Sequence, residues 1–210
     1  MKKVLIHQPE YIPWVNFFLR LKNCDIFVIL DDVQFSRRSF QNRNVIINNN
    51  KQIYLTVPVK KSIISTKINE IKIDYSTNWI EKHLRSLELS YKKSKFFNYI
   101  YDDFAKILNV KFENLSELNI TILKHLIKKL ELNCEIYLNS TFNFNSKKSD
   151  LILEICKQVG ASEYITGEGS KNYLKNENFK KNKIDINFIN NNVEYNLSII
   201  DYLFKHGYNF

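Results

Sequence analysis

A short buried strand, a helix and a second buried strand follow one another at the start of this chain. Residues 4–6 are apolar and lead into His7, residues 14–21 have helical spacing, and residues 24–30 are apolar and rich in β-branched side chains. A strand that is apolar throughout is typical of a parallel sheet covered on both faces. The sequence therefore predicts an opening βαβ unit and an α/β fold with a central, partly parallel sheet.

The middle of the chain changes from strand to helix periodicity. Residues 45–47 and 53–59 predict a hairpin around the polar turn 48–51, and the alternating residues 68–73 predict a further strand. Helical spacing then continues from residue 78 to about residue 130. The expected organisation is a single domain, residues 1–210, with α/β parts at 1–76 and 132–210 and a helical segment at 77–131.

The last third returns to alternating strands and helices. Strands are predicted at residues 133–138, 163–166 and 184–189. Helices are predicted at residues 149–159, 171–174 and 197–204, the first of them ending at Gly160.

Charge and cysteine content limit the partners. The 31 basic and 22 acidic residues give a net charge of +9, which reflects either a lysine-rich surface or attraction to an anionic small molecule. The lysines are scattered and there is no arginine-rich tail, so nucleic acid is not expected. Cys24, Cys134 and Cys156 lie in apolar runs, as buried reduced thiols do. With no signal peptide and no apolar stretch of transmembrane length, a cytoplasmic protein is expected.

The first candidate site is the turn after the first strand. His7 and Gln8 are followed by Tyr11 and Trp14, with Pro9 and Pro13 among them. The two aromatic rings are expected to be an exposed pair that could stack on a sugar or a base. Prolines stiffen a turn, and catalysis and ligand recognition both need polar side chains held in fixed positions. His7 is therefore a candidate catalytic residue, and the alternative is a hydrogen-bonded structural histidine.

The second candidate site is the polar segment that follows the second strand. Two carboxylates and three arginines lie within thirteen residues, together with several amides. Arginine binds phosphate or carboxylate with two hydrogen bonds, and the acids could orient a substrate or a cation. The alternative is an internal salt-bridge network. The residues are Asp31, Asp32, Gln34, Arg37, Arg38, Gln41, Asn42 and Arg43.

The third candidate site is a glycine-containing turn between a predicted strand and a predicted helix. Gly167, Gly169, Ser170 and Lys171 could expose main-chain amides to an anion, or the turn could be only a helix cap. Its spacing is not that of a P-loop or a dinucleotide fingerprint. No histidine or cysteine pair has zinc-ligand spacing, and the sequence assigns no metal and no cofactor.

Six motifs together resemble the WbqC-like protein family. They run in order from about residue 3 to residue 205 and comprise IHQPEYIPW, DIFVILDDVQFSRRSFQNRN, YLTVPV, HLRSLELSY, EYITGEGSKNYL and NLSIIDYLF. The positions that match the family pattern are His7, Gln8, Tyr11, Trp14, Asp31, Asp32, Gln34, Arg37, Arg38, Asn42, Arg43, Gly167, Lys171 and Asp201. In one departure, residues 190–195 lack the His-Pro segment that family members carry before the last helix.

The resemblance implies a pathway more firmly than a reaction. It implies an enzyme of bacterial surface-polysaccharide synthesis, of O-antigen, lipopolysaccharide or capsule, that acts on a nucleotide-activated sugar. The expected activity is a transferase that moves an acyl or aminoacyl group to an amino sugar, with acyl-CoA or ATP as a further substrate. His7 would be the general base, the arginines would hold phosphate, and Asp31 or Asp32 would orient the substrate.

Two alternatives stay open. The opening βαβ unit with a histidine in its turn is also the layout of nucleotidylyl transferases and adenylate-forming ligases, although Glu10 stands where their second histidine would be. The other alternative is a non-catalytic module that binds a nucleotide sugar or a pathway enzyme.

Overall fold

The buried apolar runs at the start of the chain form the centre of a five-stranded sheet. A computed structural model describes residues 1–189 and 197–210. Strand β1 spans Lys3–His7, helix α1 spans Val15–Lys22 and strand β2 spans Ile26–Ile29. Strands β1 and β2 are parallel, with Val4 opposite Ile26 and His7 opposite Ile29. The predicted βαβ unit is thus confirmed.

Three later strands complete this sheet, and helices lie between them in the chain. Strand β5 spans Glu135–Leu138, β6 spans Glu163–Thr166 and β7 spans Asp185–Phe188. The strand order is β5-β2-β1-β6-β7, and each neighbouring pair is parallel. The connecting helices are α5, Lys148–Gln158, and α6, Asn176–Lys181. The α/β fold with a central parallel sheet is confirmed.

The residues between β2 and β5 form a hairpin and three long helices. Strands β3, Arg43–Asn48, and β4, Lys51–Thr56, pair antiparallel around Asn49 and Asn50, both of which have positive φ. Helices α2, α3 and α4 span Trp79–Tyr91, Phe97–Leu108 and Leu115–Lys129. Helix α7 is the last helix of the described residues and spans Ile199–His206; the hydroxyl of the preceding Ser198 accepts a hydrogen bond from the Ile200 amide. The hairpin and the helical segment are where the sequence predicts them.

The strand predicted at residues 68–73 is wrong. Ile68–Glu70 is a single 3-10 turn, and the flanking residues make only isolated bridges, such as Val59 with Ile73. The Glu70 carboxylate accepts a hydrogen bond from the Lys67 amide at 3.1 Å, which stabilises the turn. Buried Ile68 and Ile71 are three residues apart, a spacing that suits a 3-10 turn.

Two compact units result, each built from discontinuous segments. The first comprises Met1–Gln8, Asn16–Asp32 and the described part of Leu132–Glu194, and it contains the parallel sheet. We call it the sheet unit. The second, which we call the helical unit, comprises Pro9–Val15, Val33–Glu131 and the described part of Tyr195–Phe210. The single-domain organisation stays a prediction.

The three cysteines are free thiols that differ in burial. Cys24 and Cys156 are buried free thiols as expected, whereas Cys134 is partly exposed. Burial raises the pKa of the Cys156 thiol to about 12, which disfavours a nucleophilic role for it. No helix within residues 1–189 or 197–210 is both long and apolar enough to cross a bilayer. The departure from the family pattern at residues 190–195 lies outside the described residues.

Candidate functional site

The strand order places the ends of β1 and β6 where the winding of the parallel sheet reverses. Strands β2 and β5 follow on one side of β1, and β6 and β7 follow on the other, so the winding of the sheet reverses between β1 and β6. In open α/β sheets, ligands bind outside the carboxyl ends of the strands at this reversal. Leu5 pairs with Ile165, and two residues further along the two strands stand His7 and Gly167.

The first of these residues, His7, is held as a neutral ring of defined tautomer. Its Nδ1 lies 3.1 Å from the main-chain oxygen of Gln8, and a carbonyl oxygen only accepts hydrogen bonds. Nδ1 therefore carries the proton and Nε2 carries the lone pair. The ring also makes an edge contact with Phe17, with centroids 5.2 Å apart. Burial, and secondarily the positive charge of Arg20, lowers the pKa of His7 to about 4.

A buried arginine accompanies His7, and the sequence analysis did not identify it. Arg20 lies on α1 and is only 8% exposed. Its guanidinium lies beside Gly167. A Cβ atom built at Gly167 would come 3.1 Å from Arg20 Nη1. The sequence could have identified Arg20 by its position on the inward face of an amphipathic helix, since arginine is rarely buried unless it has a polar partner. Arg20 thus connects the two strand ends at the point where the winding reverses.

The turn after β6 differs from the expectation of a helix N-terminus. Glu168–Ser170 forms one 3-10 turn, residues 171–174 form no helix, and the next helix is α6. The Ser170 hydroxyl donates to the Gly167 oxygen at 2.7 Å and closes the turn. Lys171 pairs with Glu168, and Gly169 has open space around it. The helix predicted at residues 171–174 is wrong, and a Cβ atom at residue 167 would make a tight contact with Arg20.

The carboxylates after β2 hold the end of the neighbouring strand β5. Asp31 is buried and accepts hydrogen bonds from Ser140, from its amide at 2.9 Å and from its hydroxyl at 2.6 Å. Asp32 accepts a hydrogen bond from the side-chain amide of Asn139 at 2.5 Å. Both acids therefore fix the loop that follows β5. Within the described part of the chain, no group of three or more His, Cys, Asp or Glu side chains is arranged to hold a metal ion.

Tyr11 and Trp14, in the helical unit, have different environments. The sequence analysis predicts an exposed pair, but Tyr11 is fully buried and that part of the prediction is wrong. Its hydroxyl lies 3.0 Å from His83 Nδ1, and His83 Nε2 lies 3.1 Å from the Thr56 oxygen. Because the Thr56 carbonyl only accepts, Nε2 carries the proton and Tyr11 donates to Nδ1. Trp14 is half-buried and contacts the Phe40 ring at 5.2 Å.

The predicted polar segment also lies in the helical unit. Gln34 donates to the Ile64 oxygen at 2.9 Å, and Arg37 donates to the Ser62 oxygen at 3.5 Å. Buried Asn42 donates to the Val57 oxygen at 3.0 Å. These side chains support neighbouring main chain. Arg38 is exposed with φ of 58°, and the Arg43 guanidinium lies over the Tyr54 ring at 4.4 Å.

Asp201, which matches the family pattern, is fully buried in α7. It accepts hydrogen bonds from the Tyr91 hydroxyl and from Lys205 Nζ, both at 2.7 Å. This arrangement joins α2 to α7 within the helical unit.

The predicted site residues therefore fall into two sets. Those of the sheet unit are at the strand ends and comprise His7, Gln8, Asp31, Asp32, Gly167, Gly169, Ser170 and Lys171. Those of the helical unit comprise Tyr11, Trp14, Gln34, Arg37, Arg38, Asn42 and Arg43. The sheet-unit residues that the sequence analysis missed are Arg20, Asn139 and Ser140.

The helical unit also contains a cavity that the sequence analysis did not identify. It has a volume of about 650 Å³, and Lys60, Tyr75 and Lys111 are among its lining residues. The Lys111 ammonium lies 5.6 Å from the centre of the Tyr75 ring. The three residues are distant in sequence and no motif connects them.

Comparison with known proteins identifies a matching family and a related protein. The profile of the WbqC-like protein family matches residues 8–209. The uncharacterized protein Rv1507c of Mycobacterium tuberculosis is 34% identical over 176 residues, which are 83% of this chain and 76% of that protein. No solved structure is significantly similar. Because the family profile covers nearly the whole chain, the chain belongs to the WbqC-like protein family.

Proposed function

We propose that this protein is an enzyme of bacterial surface-polysaccharide synthesis that binds a nucleotide-activated sugar at the carboxyl ends of β1 and β6. The observation that carries the proposal is the pairing of neutral His7 with buried Arg20 beside Gly167, at the reversal of the sheet winding. A guanidinium is suited to a phosphate oxygen, and a glycine lets a ligand or side chain approach the main chain closely.

In the proposed reaction, His7 is the general base toward an amino sugar. The sugar amine attacks the carbonyl carbon of an acyl thioester, a C–N bond forms and the C–S bond breaks. His7 Nε2 accepts the proton that the amine loses and passes it to the departing thiolate, which leaves as a thiol. The Nδ1–H tautomer supports this role, because it leaves Nε2 as the nitrogen that can accept a proton. Gln8, Ser170 and Lys171, predicted substrate-binding residues of the sheet unit, belong to the same proposal. Gly169 and the candidate residues of the helical unit stay predictions from the sequence.

The second candidate is a nucleotidylyl transferase or adenylate-forming ligase. The strand order favours it, because counting only the strands of the parallel sheet in chain order gives 3-2-1-4-5, the beginning of the doubly wound order of nucleotide-binding sheets. In this hypothesis the same strand ends bind the phosphates of ATP. Pyrophosphate release from ATP would distinguish it from thioester-dependent transfer.

The test combines ligand binding with a matched pair of glycine variants. Melting temperature is measured with nucleotide sugars, ATP and acyl-CoA, each with and without magnesium. We expect a nucleotide sugar to raise it, since a ligand at a hundred times its dissociation constant adds about 2.7 kcal/mol. Gly167→Ala introduces a Cβ against Arg20 and is expected to weaken the ligand about tenfold, or about 1.4 kcal/mol. Gly169→Ala, where a Cβ meets nothing within 4 Å, is the control.

The outcomes separate the candidate functions. Equal ligand affinity in both glycine variants would contradict binding at the β1–β6 edge. A response to ATP alone, with pyrophosphate release, would support the second candidate. A nucleotide sugar that binds without any turnover, whatever the acyl donor, would support a binding module. His7→Gln with unchanged turnover of an identified substrate would contradict the general-base role.

A further inference from the structure

Among residues 1–189 and 197–210, two adjacent isoleucines are the most exposed large apolar residues after Met1. Ile63 is 75% exposed and Ile64 is 87% exposed, at the tip of the loop between β4 and the 3-10 turn. Single exposed apolar residues are ordinary on protein surfaces. Two neighbouring aliphatic side chains that both project into solvent suggest a contact that the isolated chain does not satisfy.

The main chain around these isoleucines is fixed by hydrogen bonds. The Thr66 amide and hydroxyl both donate to the Ile63 oxygen, at 3.2 and 2.8 Å. Gln34 donates to the Ile64 oxygen at 2.9 Å, and the Phe35 amide donates to the Thr66 oxygen at 2.9 Å. The aliphatic tip is thus presented on a preorganised turn, so binding there has little ordering cost.

The positive charge of the protein is concentrated in the segment that carries this tip. Residues 33–69 contain seven basic residues and no acidic residue, whereas the rest of the chain has 24 basic and 22 acidic residues. Most of the net charge of +9 therefore belongs to 37 of the 210 residues. The exposed basic residues among them include Arg37, Arg38, Lys60, Lys61 and Lys67.

We infer that the Ile63–Ile64 turn docks this protein on an anionic lipid surface. The aliphatic side chains would enter the boundary between headgroups and acyl chains, and the surrounding basic residues would contact the lipid phosphates. The aliphatic character of the tip favours lipid over nucleic acid, because single-stranded nucleic acid is bound by aromatic rings that stack on bases. This inference is independent of the proposed enzymatic function.

The experiment is co-sedimentation of the full chain with two kinds of vesicle. One kind contains phosphatidylcholine alone, and the other contains phosphatidylcholine mixed with phosphatidylglycerol. We expect at least tenfold stronger partitioning to the anionic vesicles, and a decrease as salt is added because salt screens the lysines and arginines. Equal partitioning to both kinds, or none to either, would overturn the inference.

Two pairs of matched variants separate the aliphatic contribution from the charge contribution. The Ile63→Ser, Ile64→Ser double variant is expected to lose about tenfold or more in partitioning, while Leu89→Ser, at a residue 65% exposed on α2, is expected to lose nothing. Lys60→Gln with Lys61→Gln is expected to weaken binding more than Lys180→Gln with Lys181→Gln, an equal removal of charge.

The side chains changed here are exposed, and circular dichroism of each variant checks that it folds. Retained binding in the isoleucine variant would overturn the inference. So would equal losses in the two lysine variants. Salt-sensitive binding to single-stranded nucleic acid, with no vesicle binding, would assign the basic segment to nucleic acid instead.

Discussion

Two histidines in this protein are held neutral by their surroundings, for the same physical reason. His7 in the sheet unit and His83 in the helical unit each lie against a carbonyl oxygen, at Gln8 and at Thr56. Burial is the main cause that lowers the pKa of each to about 4. For His7 this keeps the ring neutral at neutral pH. For His83 it preserves the hydrogen bond from Tyr11.

These low pKa values predict how stability depends on pH. In the unfolded chain His83 is protonated below its ordinary pKa of 6.5, whereas in the folded protein it is protonated only below about pH 4. The free energy of unfolding should therefore fall as pH is lowered through this range. In His83→Gln, which cannot titrate, the fall between pH 7 and pH 5 should be smaller by about 2 kcal/mol. Urea unfolding at the two pH values measures the difference.

The control for this prediction is His206→Gln, which changes an exposed histidine. We expect it to leave the pH dependence of unfolding as in the wild type. Equal pH dependence in wild type and His83→Gln would mean that His83 is protonated in the folded protein at pH 5.

The elements that sequence patterns placed correctly have either a continuous buried apolar run or one buried face. The strands β1 and β2 are apolar runs, and in α3 the buried residues Ile100, Phe104 and Leu108 recur every four positions. The pattern failed at residues 68–73, where Ile71 and Ile73 have the spacing of a strand but Ile68 and Ile71 have the spacing of a 3-10 turn. The Glu70 carboxylate stabilises the turn by accepting a hydrogen bond from the Lys67 amide. The residues on either side of the turn form only isolated β-bridges.

The hydrogen bond between Tyr91 of α2 and Asp201 of α7 predicts that its removal lowers stability. The Tyr91 hydroxyl donates to buried Asp201 at 2.7 Å and accepts from the Ile47 amide at 3.3 Å. Tyr91→Phe leaves both groups short of a partner and should lower the free energy of unfolding by about 1–3 kcal/mol. Thermal unfolding measures the effect. Tyr54→Phe, at an exposed ring, is the control and should melt as the wild type does; equal melting of the two variants would contradict this role for Tyr91.

At the scale of the whole molecule, each compact unit is assembled from segments that are far apart in the chain. The helical unit includes Pro9–Val15, whose main-chain oxygens accept hydrogen bonds from buried side chains of later elements. Asn119 donates to the Pro9 oxygen at 2.8 Å, Asn44 to the Ile12 oxygen at 2.7 Å, and Ser198 also to the Ile12 oxygen, at 2.8 Å. The rigid proline turn is thus also a structural component of the helical unit.

This arrangement predicts that residues 33–131 do not fold as an isolated fragment. Without Pro9–Val15 and α7, Asn44 and Asn119 lose buried hydrogen-bond acceptors, at a cost of about 1–3 kcal/mol for each group. We expect the fragment to lack a cooperative melting transition by circular dichroism, whereas the full chain has one. A cooperative transition near that of the full chain would show that the missing segments are dispensable.

Local sequence patterns were enough to predict the class of the fold, the main strands and helices, and the position of His7 at a strand end, because buried apolar periodicity and turn residues are local signals. Tertiary structure decided the order of the strands, the contact of Arg20 with Gly167, and the role of Asp31 in holding Ser140. Main-chain hydrogen bonds between parallel strands are alike whatever the side chains are, so no local pattern specifies which strands are neighbours. The side chains that converge at strand ends follow from that order, and packing of the whole chain selects it.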